Sequence, residues 1–505
     1  MTGVPDPHSV EDGRQLSAAE QRAGVDGRAL TDGRAAPEGA PGAGITRGPG
    51  AVPGQESWSL VVVAGMLAYV AMLDMNIVNV ALSEIGDSFG IAPSTAQWAQ
   101  LSYQLPVIAL LLPVGRMLDR VPMRPVLLAA VSGFALFSIA ASAAPWAAWL
   151  FGVRLLQGCC AAVLFVMMPV LAVRAVRPDQ RGRAMSVPAT LGPLGAITGP
   201  TIGGLLLDHV GWQAVFLLKI PFCLVALVVA ARVLPRLPAP ATSPEPRRGA
   251  LSGVGFPAEA ALIGGALATL LLALTLSVDS PAWLLLAVAA VPPLVLWLRS
   301  AAGRSTTGLL REAGTWGVVG SVFTLAAGFA SMHYVLALHL QRNADFSATQ
   351  SGLALFAFPC AMGLAGPLGG RLSDRFGPRP LTLTGAALVA LGLALLSPLD
   401  ADWTSYDIAW RLAIAGLGMG LNGGPTQTLA MTAAPPGEVA TAGSLNQLFR
   451  NLGFALGPAL ATAAGSFGNN GAASARAGLL LALALACCSL PMLWPALGRR
   501  RTTGG

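Results

Sequence analysis

From Trp58 onward the apolar residues neither alternate nor recur every third or fourth position. They run for about twenty residues at a time and then give way to short stretches of Arg, Asp, Gly and Pro. A run of about twenty apolar residues is the length of helix that crosses a hydrocarbon layer roughly 30 Å thick. Fourteen such runs are present, at 58–82, 96–115, 125–143, 147–173, 183–207, 212–231, 256–276, 281–298, 316–339, 350–370, 380–398, 407–431, 441–464 and 476–496. The pattern predicts an all-α integral membrane protein. Composition agrees, since only 11% of the residues are charged, against about 25% in soluble domains. Residues 1–56 are rich in Gly, Ala and Pro and lack an apolar core, so they read as a disordered cytoplasmic tail rather than a signal peptide.

The net charge of +7 could point to nucleic acid, but the positions of the basic residues argue for topology instead. Five Arg lie in the N-terminal tail, and twenty more lie in the connections after even-numbered spans or at the C-terminus. Only Arg342 and Arg476 fall on the other side. This positive-inside asymmetry puts both termini in the cytoplasm and requires an even number of spans. No nucleic-acid partner is expected. All six cysteines fall inside apolar runs and read as small packing residues.

The sequence repeats itself. GRMLDR at 115–120 returns as GRLSDR at 370–375, each followed at the same spacing by an arginine, Arg124 and Arg379. Arg154 pairs with Arg411 and the Gly-Pro at 199–200 with the one at 457–458, at almost the same offset. Two parallel six-helix halves separated by an inserted pair follow, a plan used by secondary transporters. The expected divisions are the tail 1–56, a first bundle 57–235, a linker with two extra helices 236–310, a second bundle 311–497 and a C-tail 498–505.

Four motifs resemble those of the major facilitator superfamily in its fourteen-helix drug:proton antiporter branch. LDMNIVNVAL at 73–82 is similar to the first-helix motif, with Asn76 in place of the usual Thr and Ser83 in place of the closing Pro. GRMLDRVPMR resembles the loop signature after the second helix, although Pro122 and Met123 depart from it, and GRLSDRFGPR keeps Gly377. RLLQG, with Arg154, Gln157 and Gly158, resembles the fourth-helix motif, and GAITGPTIGG at 195–204 matches the fifth-helix antiporter motif. The resemblance implies two six-helix bundles plus two inserted helices, and proton-coupled export.

Physical readings of the same residues run alongside. Gly115, Asp119, Arg120 and Arg124, with Gly370, Asp374, Arg375 and Arg379, suit a cytoplasmic gate in which the carboxylate caps a helix or pairs with an arginine across the seam. The alternative is that these arginines only set topology and touch lipid phosphates. Gly195, Gly199 and Gly203, with Pro200 and Gly204, make a smooth stripe that either seals the halves or simply packs. Asp74 and Arg154 come to a common depth, counted from helix ends at Leu82 and Ala147, so they are expected to pair and to carry proton coupling; the alternative is a static structural ion pair. Asn76, Gln157, Lys219, Asn446, Gln447 and Arg450 are candidate cavity residues. If Lys219 and Arg450 face the cavity, an anionic or zwitterionic small molecule is favoured; otherwise Lys219 snorkels outward and Arg450 bonds backbone carbonyls.

No Walker A loop is possible around the single lysine, which follows Leu218, so a gradient is the expected energy source. No catalytic cluster or metal-ligand spacing appears, and neither an enzyme nor a cofactor is expected beyond protons as coupling ion. The expectation is a monomeric proton-driven exporter of small amphipathic compounds in a bacterial plasma membrane, in contact with lipids. The alternative is an importer or a lipid or metabolite transporter on the same scaffold.

Overall fold

The computed structural model describes residues 57–234, 255–276, 281–312, 315–342, 348–400, 402–435, 437–465 and 471–498, all of which belong to one compact unit. Residues 1–56, expected to form a disordered tail, lie outside the described residues, as do those after Gly498. Among the described residues there is no strand.

Six helices form the first half: α1 (Trp58–Phe89), α2 (Trp98–Leu118), α3 (Met123–Ser142), α4 (Ala147–Arg174), α5 (Arg181–His209) and α6 (Trp212–Val233). The inserted pair follows. α7 is built from Phe256–Glu259, a π-helical turn Ala260–Gly264 and Gly265–Leu276, and α8 is Leu286–Arg299. After α8 the chain bends by 79° into α9 (Ala301–Glu312). The second half comprises α10 (Thr315–Arg342), α11 (Ala348–Phe376), α12 (Pro378–Leu396), α13 (Ser405–Thr432), α14 (Val439–Gly465) and α15 (Gly471–Gly498). Each of the fourteen expected spans coincides with a helix.

Eight of these helices are long and apolar enough to cross a membrane on length and composition alone: α1 to α4, α6, α10, α12 and α15. The others in the two halves, α5, α11, α13 and α14, are long but loaded with Gly, Asn, Gln, Thr and Arg. Helices buried between other helices need not present apolar side chains to lipid. These polar spans lie at the seam between the halves, where α5 approaches α11 and α14 approaches the apolar α2. One hydrophobic core fills the first half and reaches across to Ala440, Ala442, Leu445 and Leu448 of α14, and a second fills the other half.

Local sequence explains the helix ends. α1 overruns its apolar run by seven residues because SEIGDSF remains helical until Gly90, whose φ of 63° ends it. The extension is tied down where Trp212 N donates to Glu84 Oε1 (3.1 Å) and Trp212 Nε1 to Ser88 (3.1 Å). α12 starts with Pro378 after Gly377, and α13 with a capping box of Thr404 and Asp407. α6 is interrupted at Leu218 and Lys219, just before Pro221, which has no N–H to donate to the carbonyl one turn back.

Candidate functional site

Asp74 and Arg154 meet, fully buried, with Arg154 Nη1 2.8 Å from Asp74 Oδ2. Lys219, standing in the break of α6, is also fully buried and donates to the other carboxylate oxygen, Oδ1. It therefore neither snorkels outward nor lines an open cavity; it is the third member of a charge cluster. Arg154 is held by several groups at once, while its Nη2 is buried without an acceptor. Its Nε donates to the Ala99 carbonyl (2.9 Å), its Nη1 also to Gln157 Oε1 (2.8 Å), and its guanidinium lies 4.2 Å from the centre of the Tyr103 ring. Gln157 in turn donates to Ser138 Oγ (2.6 Å), and Lys219 Nζ lies 4.8 Å from the centre of the Phe216 ring. With all three groups ionised the cluster carries one excess positive charge. It meets the usual requirement for buried charge, namely opposite partners and hydrogen bonds together.

Because α1 extends to Phe89, Asp74 is fifteen residues from that end, about 22 Å along the axis, not the eight that an end at Leu82 implies. The pairing with Arg154 is formed all the same. All three members come from α1, α4 and α6, so the cluster lies within one half of the molecule.

A second construction joins the halves at the Arg-rich end. Asp119, just past α2, accepts from the backbone N–H groups of Ala440 and Thr441 (both 2.9 Å) and from the Thr441 hydroxyl (2.7 Å), at the start of α14. Asp374, near the end of α11, accepts from the N–H groups of Gly182 (2.7 Å) and Arg183 (2.9 Å), at the start of α5. Each half thus caps the matching helix of the other, which is what the repeated motif encodes. Burial outweighs the donors around Asp119 and raises its carboxyl above the ordinary aspartate range. Gly115 and Gly370 let the backbones close: a methyl at Gly115 would overlap Ser444, and one at Gly370 would lie 2.6 Å from Ser186 Cβ.

The arginines of the motif are placed elsewhere. Arg120 is exposed, and Arg124 donates to the Ala231 carbonyl of its own half (3.4 Å). The guanidinium beside Asp119 is that of Arg174, at 3.9 Å. Arg375 is exposed over the Phe376 ring, and Arg379 is half-buried in the first turn of α12. Arg116, inside the first copy, lies 3.4 Å from the buried Glu259 of α7 and so ties the inserted helices to α2.

The glycine stripe of α5 does not face the other half. A methyl at Gly195 would overlap the Tyr69 carbonyl, one at Gly199 would lie 3.2 Å from Ile77 N, and one at Gly203 2.9 Å from Ile77 Cγ1, all on α1. Gly204 faces open space. The helix continues through Pro200, whose side chain is outside the described ones. The seam itself is sealed by an earlier stretch of α5, where Gly182, Ser186 and Thr190 meet Gly370 and Gly366.

Asn76 bonds the Met72 carbonyl one turn back (2.7 Å). Asn446 is buried and donates to Gln427 Oε1, while Asn446 Oδ1 and Gln447 Oε1 are buried without a donor. Arg450 is half-buried and has neither a hydrogen bond nor an ion pair among the described residues, so it does not bond backbone carbonyls.

Lys219 as a partner of Asp74, Tyr103, Thr441, Arg174 and Glu259 were not anticipated as site residues. Two signals were available: Lys219 stands at a depth similar to that of Arg154, and Glu259 is a carboxylate at the head of an apolar run.

Comparisons with known proteins add the family. The model of the Major Facilitator Superfamily matches residues 64–458 and 318–503. The chain is 26% identical over 409 residues to the riboflavin transporter RibZ of Clostridioides difficile, covering 80% of this chain and 87% of that one. It is 29% identical over 403 residues to the multidrug resistance protein Stp of Mycobacterium tuberculosis, covering 79% and 74%. Among solved structures, the human organic anion transporter MFSD10 (TETRAN) superposes with a TM-score of 0.61 at 16% identity, over 86% of this chain and 99% of that one. The proton:xylose symporter XylE gives a TM-score of 0.60 at 15% identity, over 87% and 95%.

Proposed function

Since the chain belongs to the Major Facilitator Superfamily and is a multi-pass membrane transporter rather than an enzyme, we propose that it exports small amphipathic compounds in exchange for protons, with the Asp74 cluster as the proton-exchanging centre. The Arg-rich end is then cytoplasmic, by the positive-inside bias, and the seam capped by Asp119 and Asp374 is the cytoplasmic gate in its closed state. Relatives named for multidrug resistance support drug efflux as the broad role.

The observation that carries the reading is the carboxylate shared by two cations in a fully buried site. A proton and an ammonium are alternative ways to neutralise one carboxylate oxygen. When Lys219 withdraws from Asp74 Oδ1, that oxygen becomes free to take a proton; when it returns, the proton must leave. Arg154 keeps the other oxygen in place throughout, its own position fixed by Ala99, Gln157 and Tyr103. Tilting of the halves does not part these groups directly, because all three belong to one half. What alternates is the access of water to them.

Inverted membrane vesicles with an acidified lumen test this. Adding a transported compound should release lumenal protons in wild type and not in Asp74→Asn. Proton release by that variant at the wild-type rate sinks the proposal.

A second reading, transport of a metabolite, draws on the similarity to the riboflavin transporter, and its direction is read separately. Cells overproducing the protein accumulate less of a transported compound if export is correct and more if import is.

A further inference from the structure

Arg450 differs from the other arginines and the lysine inside the bundle. Arg154 and Lys219 share Asp74, and Arg411 is held by Asp407. Arg450 has no such acceptor among the described residues. It stands eleven residues into α14, about 16 Å along the axis from Val439, well inside a hydrocarbon layer of roughly 30 Å and out of reach of lipid headgroups. It is half-buried, and Asn446 and Gln447, one turn back on its face of α14, are fully buried, so we read the surface it shows as opening on the interior. A lone cation at such depth is costly, and a counter-charge brought in from outside the chain would offset that cost.

Its surroundings define the rest of the ligand. One turn back are the buried oxygens Asn446 Oδ1 and Gln447 Oε1, neither with a donor. One turn on, on the same face of α14, is Phe454, whose ring centre lies 5.6 Å from that of Phe329, itself 4.7 Å from Phe358. Phe454 and Phe329 are half-buried, like Arg450. An unused cationic donor, unused acceptors and an aromatic wall are the complement of a molecule with an anionic group, hydroxyl or N–H donors, and a flat apolar body. The excess positive charge of the Asp74 cluster disfavours a cation in the same interior.

We propose that Arg450 is the anion-recognition group of the transport cavity, and that the cargo is an aromatic organic anion bearing hydrogen-bond donors. This rests on the transport reading above and names the substrate class for it.

The test is binding, without any gradient, to the full chain in lipid nanodiscs. Fluorescence titrations compare hydroxynaphthoate, its methyl ester, and a naphthol carrying trimethylammonium in place of the carboxylate. Wild type should bind the carboxylate about tenfold more tightly than the ester, as a charge-assisted hydrogen bond implies, and the ammonium compound more weakly still. Arg450→Gln should remove that preference, bringing the carboxylate's affinity down to that of the ester. Arg450→Lys, which keeps the charge without the planar fork, should retain part of it.

A wild type that binds the ester or the ammonium compound as tightly as the carboxylate overturns the proposal, whether or not the variants fold. So does an Arg450→Gln protein with undiminished preference for the anion. Because no proton movement is read, loss of proton exchange in the vesicle assay and loss of anion preference here are separable results.

Discussion

Removing the two caps across the seam should open the Arg-rich end by a calculable amount. Loss of an N-cap costs about 1 kcal/mol, within a range of roughly 0.5–2. Asp119 accepts three hydrogen bonds and has Arg174 at 3.9 Å, so Asp119→Ala belongs near the upper end, about 2 kcal/mol. Asp374 is exposed and accepts two, so Asp374→Ala belongs near about 1 kcal/mol. The two corners share no partner, and their effects should add to about 3 kcal/mol, a shift of roughly a hundredfold in the ratio of closed to open molecules. Spin labels at Val121 and Pro435, in a background without the six native cysteines, report the separation across the seam by double electron–electron resonance. The distance distribution should broaden to longer values in the order Asp374→Ala, Asp119→Ala, double variant. Asp119→Asn should lie between wild type and Asp119→Ala, because an amide oxygen still accepts from the N–H groups and burial already makes the charge costly. A double variant that folds normally and gives the wild-type distribution refutes the idea that the caps hold the gate.

Charge counting within the Asp74 cluster predicts unequal variants: Asp74→Asn leaves two buried cations unpaired and should cost about 3–5 kcal/mol, whereas Lys219→Met leaves a neutral pair and should be milder, both read as melting temperature in detergent. Asp74→Asn/Lys219→Met together should recover part of the loss. Gly195→Ala drives a methyl into the Tyr69 carbonyl and should cost about 1–3 kcal/mol, while Gly204→Ala, facing open space, should leave the melting temperature unchanged. Glu259→Gln removes the charge facing Arg116 (3.4 Å), whose Nη1 also donates to Thr306 of α9 (3.5 Å), and should make α9 more accessible to limited proteolysis without altering the caps.

Much of this fold is written in the sequence because lipid permits so few solutions. Runs of about twenty apolar residues point to spanning helices, and each of the fourteen fell on a helix, eight of them long and apolar enough to cross a membrane on their own. The repeated GR–x–x–DR block announced paired corners, and the pairing of Asp74 with Arg154 formed although the depth count behind it ended α1 too early. The errors arose where composition stopped carrying the signal. The end of α1 was misplaced because SEIGDSF is helical without being apolar. Arg124 was expected at the gate, yet the carboxylate there is satisfied chiefly by backbone N–H groups, which leave no trace in side-chain identity. The stripe Gly195–Gly199–Gly203 reveals a close approach but not which helix approaches; α1 took that place. Lys219 joined Asp74 because a proline two residues later breaks α6, a conformational consequence that spacing alone does not convey.

Gate and charge cluster lie in different places, yet one helix touches both. The first turns of α5 form the seam: the N–H groups of Gly182 and Arg183 are capped by Asp374, and Ser186 and Thr190 meet Gly370 and Gly366. Three turns further on, the same helix rests through Gly195, Gly199 and Gly203 on Tyr69, Leu73 and Ile77 of α1, residues on either side of Asp74 in sequence. With no side chain at those glycines, the contact is backbone against backbone and has little slack, so a tilt of α5 at the seam must be accommodated by α1 at the level of the carboxylate. This gives the glycine stripe a mechanical role different from a seal between halves: it fastens the helix at the seam to the helix that bears Asp74. A two-state element biased at both ends is the physical requirement for coupling. In the proposed exchange α5 is the candidate for such an element, with its first end held by Asp374 and its middle set against the residues flanking Asp74.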